Sequence, residues 1–217
     1  MVSPSEIKKV FSLLEKDHQP TMLELFSQYT PFQMVVMTLL SSRTKDSTTI
    51  PLVKALFHKY PGPRDFLKIS LKELEDALYG IGFYKVKAHH VKELSRIILE
   101  KYQGTVPDTF EKLTSLPGVG RKTANCVLSY CFRKPAIAVD IHVHRISNRL
   151  GWVATLTPEE TEEALNKRVP QPLWHKVNML LVDHGQRVCL PRNPQCPRCP
   201  IIKYCVLGRE RKKKEDF

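Results

Sequence analysis

The segment LPGVGRKTA, residues 116–124, decides the fold of this chain. Two glycines, Gly118 and Gly120, flank one apolar residue, Val119, and helical patterns run into the segment and out of it. Glycine tolerates positive φ and lets the backbone approach another group closely, so we expect Val119 to pack between the two helices. The free amides of the turn then face outward at a helix N-terminus, which binds phosphate without reading a base. The alternative is an ordinary helix corner in which the glycines only separate two helices.

The sequence on both sides of this hairpin predicts a helical protein. Apolar residues recur at three- and four-residue spacing, and four helix starts carry a capping side chain with an acid or amide three residues later. Strand signals are scarce: the alternating stretch 138–143 continues at helical spacing, which predicts a helix starting just after Asp140. The four predicted starts are Thr30 with Gln33, Ser70 with Glu73, Asp108 with Glu111, and Thr157 with Glu160.

The charge of the chain narrows its possible partners. The 217 residues carry a formal net charge of +12, and 42% of them are hydrophobic, which is enough for a folded core. Such a surplus attracts polyanions, with nucleic acid the first candidate and an anionic membrane surface the second. On charge alone, a basic protein without either partner explains the composition almost as well. Because the sequence has no secretory signal and no apolar stretch that could span a bilayer, we expect a cytoplasmic or nucleoid-associated protein of a prokaryotic cell.

Four of the six cysteines lie close together near the C-terminus, at Cys189, Cys196, Cys199 and Cys205. A reducing compartment disfavours disulfides, so four thiols in a short proline-rich loop with one C-x-x-C step predict a metal site. Their spacing alone allows zinc or an iron–sulfur cluster, because four thiolates suit both. The remaining two cysteines, at positions 126 and 131, are expected to lie in the core.

Two polar residues near the hairpin are candidates for catalysis. Lys122 lies in the first turn of the helix that leaves the hairpin. The positive end of a helix disfavours a second cation and so favours the neutral amine that Schiff-base chemistry needs. From spacing alone, a lysine that contacts a phosphate is nevertheless the simpler interpretation. Asp140 follows an apolar run and is expected to cap a helix, while its second oxygen stays available to a cleft.

The hairpin, the motif Val139-Asp140-x-His142 and the pattern C-x6-C-x2-C-x5-C together resemble the endonuclease III family of helix-hairpin-helix DNA glycosylases. The resemblance extends from about residue 30 to residue 205. It implies that Lys122 is the nucleophile, that Asp140 is its catalytic partner, and that the four C-terminal cysteines hold a [4Fe–4S] cluster. The implied activity is a bifunctional glycosylase and abasic-site lyase of base excision repair. It would act on double-stranded DNA and remove oxidised pyrimidines such as thymine glycol.

The same resemblance implies an all-α fold of two helical lobes with a C-terminal cluster loop. The central lobe would comprise residues 22–133, and the terminal lobe would comprise residues 1–21 plus 134–217. The substrate cleft would lie between the lobes, with Lys122 and Asp140 on opposite walls. We expect a monomer that binds duplexes containing damaged bases or abasic sites.

The resemblance also assigns residues to DNA contact and to the base pocket. Arg43 stands where bacterial members have a glutamine that fills the gap left by the flipped base, which leaves the opposite-base preference open. Ile81 and Phe83, in a second G-x-G loop, are candidate wedges, although core packing explains apolar loop residues equally well. Further phosphate contacts are expected from Arg192 and Arg198 in the cluster loop and from Gly118, Val119, Gly120 and Arg121 in the hairpin. The pocket candidates are Ser41, Asp46 and His142, and a structural role explains each of these about as well.

Three other functions compete with this interpretation. A mismatch glycosylase without lyase activity, acting on thymine, uracil or adenine, would keep the cysteines and the aspartate but lack a lysine at position 122. A non-catalytic DNA-binding module would keep the hairpin and the cluster but lose Lys122 or Asp140, and both residues are present. A zinc-ribbon-like protein that binds a protein partner is the third, and the colour of the purified protein distinguishes it from an iron–sulfur protein.

Overall fold

The computed structural model describes the backbone of residues 2–215 and the side chains of residues 2–211. Within these residues the regular structure is entirely helical, as the sequence predicts, and none of the helices is long and apolar enough to cross a bilayer. The thirteen α-helices of the described chain are α1 Pro4–Glu15, α2 Met22–Leu25, α3 Pro31–Ser41, α4 Asp46–Lys59, α5 Pro63–Lys68, α6 Leu71–Ala77, α7 Tyr84–Tyr102, α8 Phe110–Thr114, α9 Arg121–Tyr130, α10 Ile141–Leu150, α11 Pro158–Arg168, α12 Trp174–Arg187 and α13 Val206–Glu215.

Three of the four predicted capping boxes are confirmed. In α3, α6 and α11 the hydroxyl of the N-cap residue accepts from the amide three residues later, and the acid or amide at that position accepts from the N-cap amide. Each box satisfies two backbone donors that the helix itself leaves unpaired. The N-caps concerned are Thr30, Ser70 and Thr157.

The fourth prediction, a capping box at Asp108, is wrong. Helix α8 begins at Phe110 with Thr109 as its N-cap, and no side chain caps it. The carboxylate of Asp108 instead accepts from the Lys134 ammonium over 2.6 Å, and this ion pair lowers the pKa of Asp108. The Asp108 carboxylate therefore binds a lysine 26 residues further along the chain instead of capping α8. The spacing of residues in the sequence does not reveal such a distant contact.

The central compact unit comprises residues Leu25–Lys134. Helix α3 forms its core, because it packs against α4, α7 and α9, and its residues Met34–Met37 are all fully buried. Helices α5 and α6 pack on α7, and α8 packs on α9. The hairpin between α8 and α9 is therefore anchored by buried helices, because residues 123–129 of α9 and residues 34–40 of α3 are all buried and the two helices pack together.

The terminal compact unit combines the chain up to Glu24 with the chain from Pro135 onward. Helix α1 packs against α12, and the ring of Phe11 meets that of Trp152 edge to face with a centroid separation of 5.6 Å. Apolar burial of this kind contributes roughly 25 cal/mol per Å². This apolar contact joins the segment before residue 25 to the segment after residue 134 in one unit.

A buried carboxylate reinforces this attachment. Asp183 on α12 accepts from the amide of Gln19 at 3.1 Å and pairs with Arg187, which also pairs with Asp17. Burial alone would raise the pKa of Asp183, but the hydrogen bonds from Arg187 and Gln19 lower it. The ionised carboxylate is thus tied to the segment that follows α1.

Candidate active site and cysteine cavity

The hairpin turn is held by its apolar residue. Leu116 and Val119 are 2% and 5% exposed, and the Val119 amide donates to the Leu116 carbonyl over 3.1 Å. The Val119 side chain therefore stabilises the turn, and only its backbone can face a ligand. Arg121, the first residue of α9, places its guanidinium 4.9 Å from the ring centre of Phe110 on α8. This stacking fixes one cation at the mouth of the turn.

The two glycines of the hairpin have different physical requirements. Gly118 has φ +74°, and a Cβ there would lie 2.7 Å from Nδ1 of His90 and 2.8 Å from Cδ1 of Leu39. Gly120 has φ −89° as the N-cap of α9, and a Cβ there would meet no atom within 4 Å. The fold therefore requires glycine at position 118 but not at position 120. A glycine that the fold does not need is consistent with close approach of an external group.

We expect substitution by serine to separate these two roles. Gly118→Ser should lower the free energy of unfolding by roughly 1–3 kcal/mol, because it adds left-handed strain and two clashes. Gly120→Ser keeps a good N-cap residue and should leave stability within about 0.5 kcal/mol, yet weaken duplex binding. Urea unfolding and fluorescence anisotropy on a labelled duplex measure both quantities. Wild-type DNA affinity for Gly120→Ser would contradict a phosphate contact at this turn.

Lys122 is the second residue of α9 and is half-buried. The first turn of α9 contains no acidic residue that would neutralise it. Its ammonium makes no hydrogen bond or ion pair with the described residues. The amine thus lies at a helix N-terminus next to the hairpin, and no hydrogen bond or ion pair with the described residues gives it a structural role.

Asp140 caps α10, as the sequence predicts, and belongs to the terminal unit, whereas Lys122 belongs to the central unit. Its Oδ1 accepts from the amides of both His142 and Val143, each over 2.9 Å. Because both bonds use the same oxygen, the cap leaves Oδ2 uncommitted. The carboxylate is half-buried, and the next residue, Ile141, is 70% exposed. The cap thus orients an acid whose second oxygen can serve chemistry.

The structure separates the two predicted wedge residues. Ile81 is 2% exposed and belongs to the core, whereas Phe83 is 62% exposed and has φ +58°. The guanidinium of Arg43 lies 5.4 Å from the ring centre of Phe83. The structure therefore brings together two predicted DNA-contacting residues, Arg43 and Phe83, and leaves Ile81 beneath them.

The pocket candidates occupy half-buried positions near helix ends. Ser41 is the last residue of α3, and its hydroxyl donates to the Thr38 carbonyl over 3.0 Å. Asp46 is the first residue of α4. His142 in α10 has its Nδ1 3.1 Å from a guanidinium nitrogen of Arg145. Ser41 and His142 thus already have local partners.

The four C-terminal cysteines of the terminal unit line one small cavity of about 20 Å³. Apolar residues of α10 and the following loops complete its wall, among them Ile146 and Ile201. Burial raises the pKa of the Cys199 thiol to about 11 and also raises that of Cys205. Among the described His, Cys, Asp and Glu side chains, no three are grouped as ligands of a single metal ion.

Polar groups reach three of the four sulfur atoms of this cavity, and one of them is His184, whose Nε2 lies 3.6 Å from Sγ of Cys199. Arg149 on α10 donates to Sγ of Cys189, and the Gly208 amide donates to Sγ of Cys205, each over 3.3 Å. Arg149 also donates to the carbonyls of Leu190 and Pro191, both over 2.7 Å. The sequence analysis did not identify Arg149, because the carbonyls and the sulfur to which it donates lie about 40 residues further along the chain.

The two arginines predicted to contact phosphates from the cysteine loop are both exposed. Arg192 directly follows the segment that Arg149 holds. Arg198 donates to the Arg187 carbonyl over 2.8 Å, which uses one nitrogen of its guanidinium. Both side chains can reach a ligand from the solvent side of the loop.

Comparisons with known proteins agree on one family. Residues 36–171 match the model of the HhH-GPD superfamily base excision DNA repair proteins. The chain is 51% identical over 185 residues to endonuclease III of Thermotoga maritima, an alignment that covers 85% of this chain and 87% of that one.

Two solved structures have the same fold. The structure of a non-covalent endonuclease III–DNA complex has a TM-score of 0.87 at 34% identity and covers 98% of this chain and 100% of its own. A thermostable thymine-DNA glycosylase has a TM-score of 0.84 at 25% identity, covering 94% and 95%.

Proposed function

This chain belongs to the HhH-GPD superfamily of base excision DNA repair proteins and, within it, to the endonuclease III family, and from that premise we propose a bifunctional enzyme. It is a DNA glycosylase of base excision repair that binds damaged DNA. It removes oxidised pyrimidines such as thymine glycol and then cleaves the strand at the abasic site. The observation that carries the lyase step is Lys122, an amine at the start of α9 with no structural partner among the described residues.

The proposed reaction begins when the duplex is bent and the damaged nucleotide is turned out of the stack. The Nζ atom of Lys122 attacks the sugar C1′, and the C1′–N bond breaks as the base leaves with its electron pair and a proton. Asp140, through its uncommitted oxygen, stabilises the positive charge that develops on the sugar. A preorganised charge of this kind contributes roughly 10²–10³ in rate.

The second half of the reaction follows from the covalent intermediate. The ring bond C1′–O4′ then breaks, O4′ takes up a proton, and C1′ forms a Schiff base with Lys122. The Schiff base acidifies the C2′ proton. Removal of that proton breaks the C3′–O bond, and the 3′ phosphate leaves. Hydrolysis of the Schiff base then returns the free lysine.

The test of this function is borohydride trapping on a duplex that carries one thymine glycol. Borohydride reduces a Schiff base to a stable amine, so a bifunctional enzyme becomes covalently attached to the DNA. Alkali-labile sites without an adduct would indicate a glycosylase without lyase activity. Such an outcome would favour the second candidate, a mismatch glycosylase, for which the similarity to a thymine-DNA glycosylase is the supporting observation.

We also propose that the four cysteines lining the cavity hold a [4Fe–4S] cluster. Burial raises the pKa of the Cys199 and Cys205 thiols, so a metal that binds them must displace their protons. N–H groups already donate to the sulfurs of Cys189 and Cys205. All four thiols line the same cavity, so one group could be bound by all of them. The cluster would fix the loop that presents Arg192 and Arg198 to phosphates.

We expect the purified protein to be yellow-brown and to contain about four iron and four sulfide ions per chain. Cys199→Ser should lose most of the iron, because it removes one ligand of the cluster. Cys131→Ser is the matched control, since Cys131 does not line the cavity and should leave the iron content unchanged. Chemical analysis of iron, zinc and sulfide measures this directly. A colourless wild-type protein with one zinc ion would contradict the cluster.

We further propose that the protein acts as a monomer in the compartment that holds the chromosome. The two compact units of the fold, with a change of unit near residues 24 and 134, would serve as the two lobes.

A further inference from the structure

Two loops of the central unit contact each other and carry the two exposed DNA-contacting candidates. We refer to residues 41–44 and 80–83 as the reading loops. The Gly82 amide donates to Oγ1 of Thr44 over 3.0 Å. A Cβ on Gly82 would lie 2.8 Å from the Arg43 carbonyl oxygen, so only glycine allows this approach. The reading loops therefore form one surface, with Arg43 stacked on Phe83.

This surface is strained at both tips. Arg43 has φ +54° and Phe83 has φ +58°, a left-handed conformation that is unfavourable for both residue types. Such conformations are unfavourable and persist only when surrounding contacts enforce them. Contacts that enforce the geometry must therefore exist close to both tips.

One of these contacts comes from a buried lysine. Lys87 on α7 is 6% exposed, and its ammonium donates to the Leu40 carbonyl over 2.9 Å and to the Ser42 carbonyl over 2.5 Å. These carbonyls belong to the end of α3, where the partial negative charge of a helix favours a cation. Ser42 directly precedes Arg43, and Lys87 lies one helical turn after Phe83, so the ammonium links the two reading loops from beneath.

Burying the Lys87 ammonium costs stability, because the charge loses its hydration. Burial lowers the pKa of Lys87 to about 8, which shows that the site disfavours the charge it contains. A buried ammonium is retained where its hydrogen bonds specify a conformation that an apolar residue would not. The carbonyls that Lys87 binds belong to the first reading loop and to the residue just before it.

We propose that Lys87 is a positioning residue for lesion recognition: it holds the end of α3 so that Arg43 stays stacked on Phe83 as a single element that enters the duplex. The inference rests on the proposed function, because it assumes that the reading loops meet DNA. A guanidinium already stacked on a ring loses less conformational freedom on binding. Its edge remains free to donate to the base that is left unpaired.

The test is a double-mutant cycle between Lys87→Met and Arg43→Ala. Affinity is measured on a duplex with a tetrahydrofuran abasic analogue and on the undamaged duplex. If Lys87 acts through Arg43, Lys87→Met should weaken analogue binding roughly ten-fold in the wild type but less than about two-fold in Arg43→Ala, because interacting residues are non-additive. Binding to undamaged DNA should change less than about two-fold in either background.

A second lysine of the same helix supplies the matched control. The Lys92 ammonium, also on α7, donates to the carbonyls of Phe66, Leu67 and Ile69 at the end of α5. Lys92→Met should therefore destabilise the fold to a similar extent, as urea unfolding will show, without changing the ratio of analogue to undamaged affinity. If Lys87→Met does not fold, Lys87→Arg, which keeps donors for both carbonyls, takes its place in the cycle with a smaller expected effect.

Two results would overturn the proposal, and they are distinguishable from failure of the proposed function. An undiminished Lys87→Met effect in Arg43→Ala, or an equal loss of selectivity in Lys92→Met, would show that Lys87 only stabilises the fold. Wild-type analogue affinity in both Arg43→Ala and Phe83→Ala would show that the reading loops do not meet DNA. Base removal and trapping by the wild type test the enzymatic function separately.

Discussion

Lys122→Ala is expected to abolish the covalent adduct that borohydride traps on thymine glycol and abasic duplexes. The alanine side chain has no amine, so no Schiff base forms and β-elimination loses its electron sink. Strand cleavage should fall by more than about 10³-fold, as is typical when a nucleophile is removed. Denaturing electrophoresis of the trapped reaction shows the adduct, and quenched time points give the rate. The helix itself should persist, because alanine is a good helix former.

Lys122→Arg distinguishes the nucleophile from a simple phosphate contact. Arginine keeps the positive charge and remains protonated at any accessible pH, so a phosphate contact would survive while the nucleophile would not. We expect this variant to bind abasic duplex with nearly wild-type affinity and to form no adduct. An arginine variant that still cleaves DNA would assign Lys122 to phosphate binding and place the lyase nucleophile elsewhere.

Asp140→Asn is expected to lower the rate of base removal roughly 10²–10³-fold, the usual effect of removing one preorganised electrostatic group. The substitution removes the negative charge but keeps an oxygen in the position of Oδ1, which accepts from the amides of His142 and Val143. Asparagine is as good an N-cap as aspartate. Single-turnover kinetics on thymine glycol duplex should therefore change while the unfolding midpoint stays close to that of the wild type.

Asp140→Ala completes this comparison. It removes the cap as well as the charge, so it should also destabilise the protein by about 0.5–2 kcal/mol. Equal rates for the asparagine and alanine variants, with different stabilities, would separate the catalytic from the capping role. Full activity in Asp140→Asn would mean that the residue is only an N-cap, and the positive charge on the sugar would need another partner.

The sequence predicted the helices and most of their N-cap residues correctly. The helical class and the caps at Thr30, Ser70, Thr157 and Asp140 were readable because a helix N-terminus needs side-chain acceptors at fixed spacing. Asp108 was misread because Lys134, distant in sequence, takes its carboxylate. Local rules determine where helices start, but they do not determine which charged groups meet across the fold.

Burial accounts for most of what could not be predicted at the site. The sequence shows two apolar residues, Ile81 and Phe83, in the same loop, and only the packed structure shows that the first is core and the second exposed. A lysine such as Lys87 reads as a surface charge, since lysines are almost never fully buried. The difference between Gly118 and Gly120 was equally invisible, because it depends on how close His90 and Leu39 come.

The two helices that join the terminal unit are synthesised far apart in time. Helix α1 packs on α12, yet about 160 residues separate the end of one from the start of the other. At typical translation rates of about 5–20 residues per second, α1 waits roughly 8–32 seconds for its partner. Ile7, Val10 and Phe11 are buried in the folded protein, and they lack their α12 partner during that delay, whereas all residues of the central unit have already been synthesised. We therefore expect α1 to be the helix of the terminal unit that waits longest for its packing partner during synthesis.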